Sequence, residues 1–432
     1  MVFRNGRVKV MILKVKSDIL KMKSLIKHII FIIAGFCILF FPGCADKSYP
    51  GEEALLRDMN LIPEHGTYPI RVSVGNSQLE ENTRSSEVKQ ELTDTVYVYA
   101  YSKDMTANYT LDSDADRNIC LVDGLMQDRK SKHGKRAMLL QDEPYLTWMN
   151  APKTVYFHDN NQPYDFFAYY LDGAYMGDNE ITKLDDRIKM NISINGTNDI
   201  MSSKAEVTDE QLSASSNSEA DRERVKNMSF SNLTAEWNVQ PIFRFKHHMC
   251  RFIFLLYAEN PNVGGVYIES ISVNSKTKGV FTVASSTIGN MGVDFSQEQE
   301  YTALFLTDKD RTELDKDTYC PKVDGVDFSK PVYERDAVQV GGELILPPGE
   351  TQYFYSVKLK QFLNGSWKYN ELLNIPLVMP EGETFSPGNQ YNVKLSVYGI
   401  QEVRTEVTLT PWIFGGSIII DPDKDFENKN NF

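Results

Sequence analysis

Asp112-Ser113-Asp114-Ala115-Asp116 sets carboxylate oxygens at alternate positions, the spacing with which a short loop can wrap a calcium ion. Its sixth position is Arg117, where such a loop turns on glycine, and its twelfth is Asp123 rather than a bidentate Glu. A solvated acidic loop is therefore the expectation. His247 and His248 are adjacent. Neighbours in a strand point to opposite faces, so the pair cannot close on one metal. The basic run Arg129-Lys130-Ser131-Lys132-His133-Gly134-Lys135-Arg136 reads as an exposed, protease-accessible loop. No nucleophile elbow, H-E-x-x-H, phosphate loop or dinucleotide fingerprint occurs. No catalytic residue, metal ligand or cofactor is expected, and the chain does not read as an enzyme.

The residue with a specific chemical future is Cys44. An almost wholly apolar run of 13 residues from Ile29 to Phe41 lies behind Lys21, Lys23 and Lys27. It falls short of the about 20 residues that a spanning helix needs. A basic region, a short apolar region and a small residue before the cleavage point are the layout of an export signal. Phe41-Pro42-Gly43-Cys44 is similar to a bacterial lipobox, although Phe41 and Pro42 stand where Leu and Ala or Ser are usual. On this reading residues 1–43 are a signal peptide, with Met22 an alternative start, and Cys44 is the lipidated (palmitate-bearing) first residue. Two or more acyl chains suffice for stable membrane attachment. The Pro-, Gly- and charge-rich stretch up to Pro63 then reads as a tether.

The elements that must carry these groups follow from composition and periodicity. The chain has 432 residues, 41% hydrophobic and 24% charged, with 22 Tyr and 23 Phe, enough apolar material for real cores. Its net charge of −13 includes a basic N-terminus, so the remainder is more acidic still. Phosphate backbones would repel such a surface, which argues against a nucleic-acid partner. Beyond Cys44 only Cys120, Cys250 and Cys320 remain, too few for a disulfide scaffold, and burial as small apolar side chains is the plainer role.

Period-two alternation dominates. Ile70, Val72 and Val74 alternate with Arg71 and Ser73, and Tyr353, Tyr355, Val357 and Leu359 with Gln352, Ser356 and Lys358. Tyr391–Val397 and Val403–Leu409 repeat the pattern. These are strands with one wet face. Val96-Tyr97-Val98-Tyr99-Ala100-Tyr101 and Tyr164-Asp165-Phe166-Phe167-Ala168-Tyr169-Tyr170 are apolar on both faces and read as central strands. Residues 207–227 are small, polar and charged, a linker on composition. The expected class is all-β, with tandem β-sandwich domains over 44–235 and 236–432, the second with a terminal strand extension.

Several segments in order resemble the fimbrillin family, the pilins and accessory pilins of Bacteroides-type bacteria. They are Thr83-Arg84 after the first strand, Val155-Tyr156-Phe157 leading into 164–170, Asn198-Asp199-Ile200-Met201, and the run from Phe243 to Phe252. Leu344-Ile345-Leu346-Pro347, the run from Phe385 to Val393, and a final strand reaching Trp412 complete the set. The resemblance implies two transthyretin-like (Greek-key) sandwiches, lipoprotein export and assembly into surface fibres. It further implies that a protease cuts between Arg84 and Ser85, that the strand bearing Ile70, Val72 and Val74 leaves, and that another subunit's segment fills the groove. Ile418, Ile419 and Ile420, behind Gly415-Gly416, are the candidate donor strand. Arg84 can equally be an ordinary loop residue, and the tail a last strand of its own domain. The expected role is a structural or adhesive fimbrial subunit at the outer membrane, held there by its lipid. Its expected partners are self or accessory pilins and a host or bacterial surface ligand. A non-polymerising surface lipoprotein, either a fimbrial anchor or a glycan-binding module, is the rival.

Overall fold

The structure is a computed structural model. It describes residues 67–75, 95–103, 119–128, 130–139, 145–159, 161–215, 218–259, 265–287, 289–308, 314, 329 and 337–412. Cys44, Arg84, Ser85, Asp112–Asn118, Cys320 and Ile418–Ile420 lie outside the described residues. The class is all-β, as the alternation requires.

The first half carries β1 (Ser73–Val74), β2 (Thr95–Ser102), β3 (Cys120–Val122), β4 (Lys135–Leu139), β5 (Leu146–Trp148) and β6 (Tyr164–Tyr170). β7 (Ile181–Lys183), β8 (Arg187–Ser193) and β9 (Met201–Lys204) follow. After them come β10 (Ile242–Phe243), β11 (Lys246–His247), β12 (Cys250–Ala258), β13 (Val266–Ser275), β14 (Lys278–Ser285), β15 (Gly292–Asp294) and β16 (Thr302–Phe305). The chain closes with β17 (Val338–Leu346), β18 (Gln352–Leu363), β19 (Ser366–Val378), β20 (Asn389–Gly399) and β21 (Glu402–Pro411).

A seven-stranded sheet runs β11-β9-β6-β2-β4-β5, with β3 also on β2. Both its faces are buried, as the doubly apolar strands demand. Tyr99, Tyr101, Phe167 and Tyr169 point into one core, and Val96, Val98, Ala100, Phe166 and Ala168 into another. The tyrosine face is covered by the four-stranded sheet β15-β14-β8-β7, where Tyr169 meets Phe281 edge-on at 6.2 Å. Strands from both sides of residue 235 share these sheets, since β14 pairs with β8 and β11 with β9.

Two further four-stranded sheets, β17-β12-β20-β21 and β16-β13-β18-β19, face each other. Phe252 on β12 packs on Tyr353 at 5.7 Å, and Phe254 on Tyr355 at 6.3 Å. β18 shows how sequence becomes layer: Tyr353, Tyr355, Val357 and Leu359 are buried while Phe354, Lys358 and Phe362 are exposed. β12 and β20 are parallel, so their link crosses between sheets rather than turning a hairpin.

Two local expectations are corrected. The 207–227 stretch is helical over much of its length, with α2 (Asp209–Ser215) and α3 (Glu219–Met228) following α1 (Gly124–Asp128) and preceding α4 (Asn232–Glu236). Its polar composition reflects exposed helix faces; in α3 only Val225 is buried. The basic run is not a free loop either. Its end enters β4, Lys135 is buried, and Gly134 crosses the main chain of β2 so closely that a Cβ would lie 2.5 Å from Val98 O. Cys120 and Cys250 are buried, the plainer role expected of them.

The adjacent histidines diverge as strand geometry requires. His247 stacks on Trp412, whereas His248 turns toward Phe281, with Ser202 Oγ 2.6 Å from its Nε2. Burial, then the neighbouring His247 and Lys246, lowers the His248 pKa to about 4. The folded value lies below the unfolded one, so this ring's contribution is complete above about pH 6.5 and is lost as pH falls toward 4. The loss is on the order of 2–3 kcal/mol. Urea unfolding at pH 7 and pH 4.5 should therefore show an acid destabilisation that His248→Gln largely removes.

Candidate functional site

Residues 68–75 form an inserted strip rather than part of a continuous ladder. Only Ser73–Val74 is regular strand, paired in parallel with Ile242–Phe243, and Pro69 bridges Tyr156. Pro69 has no N–H to give, and the flanking segments belong to different elements, so pairing proceeds by separate contacts. The side chains follow the alternation: Ile70 and Val72 are buried and Val74 is half-buried.

Main-chain groups of the strip are bonded on two sides. On one side Ile70 N donates to Val155 O (2.8 Å), Phe157 N to Tyr68 O (3.0 Å), and Leu146 N to Val72 O (2.7 Å). On the other, Ser73 N donates to Pro241 O (3.1 Å) and Gly75 N to Phe243 O (2.8 Å). Side chains complete the set. The buried Gln240 amide accepts from Arg71 N at 3.1 Å and donates to Pro69 O at 3.1 Å. Trp148 Nε1 donates to Ile70 O at 3.2 Å, and Asn232 Oδ1 accepts from Tyr68 N at 2.7 Å.

The groove floor is aromatic. Ile70 and Val72 share a core with Trp148, Phe157, Phe166, Phe230 and Phe243. Phe166 sits between Phe157 and Phe230, edge-on to both, at 6.1 and 5.8 Å. The helices of the supposed linker support the wall: Gln211 on α2 donates to Gln240 O at 2.7 Å. α4 begins at a capping box, Ser231 with Thr234, which fixes the position of Asn232. The alternation had found Ile70, Val72 and Val74. Gln240, Trp148 and Asn232 carried no local signal, because their partners lie 78 to 171 residues away.

At the far end of the chain, Trp412 closes the described C-terminus. Its N–H donates to Gly388 O at 3.1 Å. Its indole stacks on His247 at 3.9 Å, with the Arg251 guanidinium 5.8 Å from the ring centroid. His247 Nδ1 lies 2.8 Å from Asp199 Oδ2, and Arg251 pairs with Glu343 at 2.6 Å. The root of the tail that carries Ile418–Ile420 is thereby fixed. Among the described residues no cluster of His, Cys, Asp and Glu could hold a metal ion.

The described residues form a layered all-β body with a separately held N-terminal strip. The family model described as fimbrillin-like matches residues 83–412, and the chain belongs to that family, whose members are fimbrial structural proteins and not enzymes. Similar solved structures include a fimbrial protein of Bacteroides vulgatus (13% identity, TM-score 0.44, covering 80% of this chain and 99% of that one). The fimbrial anchor protein Mfa2 of Porphyromonas gingivalis is 11% identical, with TM-score 0.30 and coverage of 81% and 100%. The tip fimbrial protein Mfa3 of the same organism, truncated at its C-terminus, is 9% identical, with TM-score 0.37 and coverage of 80% and 100%. No curated protein matches.

Ile70→Ala should lower unfolding free energy by about 3 kcal/mol, the range for an Ile truncated in a packed core. Arg71→Ala, whose side chain is only half-buried, should cost well under half of that. Denaturant melts of the two variants compare them directly.

Proposed function

We propose that the protein is a cell-surface fimbrial subunit, exported as a lipoprotein through Cys44, in which residues 68–75 are a removable strand. The tandem transthyretin-like arrangement belongs to the same proposal. The observation that supports it is the two-sided bonding of the strip over an aromatic floor. Such a strip is a complete β-augmentation ligand already seated in its groove. Cleavage between Arg84 and Ser85 frees it. Its departure leaves Leu146 N, Phe157 N, Val155 O, Pro241 O and Phe243 O without their partners. Each group that stays dry costs about 1–3 kcal/mol, so an incoming strand recovers both the hydrogen bonds and the pockets. Ile418 and Ile420 have the same two-residue spacing as Ile70 and Val72, so the tail of a second subunit suits the vacated sites. The partners are then other fimbrial subunits, the outer membrane through the lipid, and a surface ligand.

Protein cleaved at Arg84 should form concentration-dependent polymers in size-exclusion chromatography. Truncation after Trp412, or Ile418→Asp, should leave it monomeric. A cleaved protein that stays monomeric at high concentration would favour the static lipoprotein, an anchor or glycan-binding module that keeps its strand. Separately, Cys44→Ala should abolish labelling by a fatty-acid analogue in cells and retain the precursor.

A further inference from the structure

Asp123 and Lys183 form an ion pair unlike the others described. Their side chains are 0% and 1% exposed and Nζ is in direct contact with Oδ2. In Lys204–Asp165, Lys276–Glu350 and Lys394–Glu406 both partners keep access to water. Asp123 follows β3 on the seven-stranded sheet, and Lys183 ends β7 at the edge of the sheet that covers it. The carboxyl group is held on both oxygens: Leu125 N donates to Oδ1 at 2.7 Å, and Tyr101 OH to Oδ2 at 2.6 Å. The ammonium lies 5.2 Å from the Tyr99 ring centroid and 5.8 Å from that of Tyr101.

We propose that this pair condenses into an intramolecular amide that staples the two sheets. A charged pair stripped of water keeps the desolvation cost of both ions, and condensation removes both charges. The fold supplies the remaining requirement, an amine and a carboxyl group held against each other and closed off from bulk solvent. One ammonium proton passes to Oδ2, leaving a neutral amine and a carboxylic acid. The Nζ lone pair attacks Cγ, and the charge that develops on Oδ1 is met by the Leu125 N–H. Tyr101 OH gives a second proton to Oδ2 and takes one back from Nζ. The Cγ–Oδ2 bond breaks, Oδ2 leaves as water, and Nζ keeps one hydrogen as the amide N–H. No oxidant, metal or further reactant enters.

The staple stands independently of strand exchange, and the test reads it without any assembly. Purified full-length protein is denatured and digested with trypsin. The expected product is one branched peptide joining residues 118–129 to 154–187, uncut after Lys183 and lighter than its two chains by one water. In Lys183→Arg the branched species should vanish and residues 118–129 appear as a linear peptide. Quantitative recovery of linear 118–129 and 154–183 from the wild-type protein would overturn the proposal and leave a buried ion pair.

Discussion

A sheet buried on both faces has no solvent to satisfy it, and the rest of the molecule answers to that constraint. β2 and β6 send Tyr99, Tyr101, Phe167 and Tyr169 one way and Val96, Val98, Ala100, Tyr164, Phe166 and Ala168 the other. Each face needs a cover, and neither cover comes from a neighbouring stretch of chain alone. The face of Tyr99 and Tyr169 takes a second sheet that includes β14, whereas the opposite face takes an N-terminal strip and a set of helices. Both are assembled from residues far apart in sequence, so the central sheet is the last place where the chain can be cut into independent parts.

The two covers differ in kind. The β7–β8–β14–β15 sheet is laddered and continuous, and a buried charge pair ties it to the central sheet. The N-terminal strip is short, hydrogen-bonded partly by side-chain amides, and regular over only two residues. The strip's neighbours pair with it one group at a time and not through a continuous ladder. Gln240 is central to this because one amide serves both a donor and an acceptor of the strip's main chain.

Local periodicity made the strands legible, since Ile70, Val72, Tyr353 and Tyr355 all sit on the buried faces that alternation assigns them. The doubly apolar runs were legible as central strands for the same reason. Long-range partnership was not. Nothing near Lys278–Ser285 states that it will pair with Arg187–Ser193, because both are simply alternating strands. The helices at 209–228 were hidden by a composition in which nearly every position faces water. Lys135 was misjudged because its neighbours are basic, while Gly134 lets the chain pass too close to β2 for a loop to remain exposed. Asp123 looked like the end of an acidic loop, and only the fold brings Lys183 to it.

The aromatic clamp on Trp412 has a mechanical side. Its stacking partner, His247, belongs to the seven-stranded sheet, and the cation over it, Arg251, to the neighbouring sandwich. Tension arriving along the chain at this indole is therefore divided between two sheets at once. Beyond it the force meets the β20–β21 ladder, which pairs residues from Asn389 with Pro411 to Gly399 with Glu402. The tail is rooted like a cable gripped at a bulkhead between two compartments, where neither wall bears the full load.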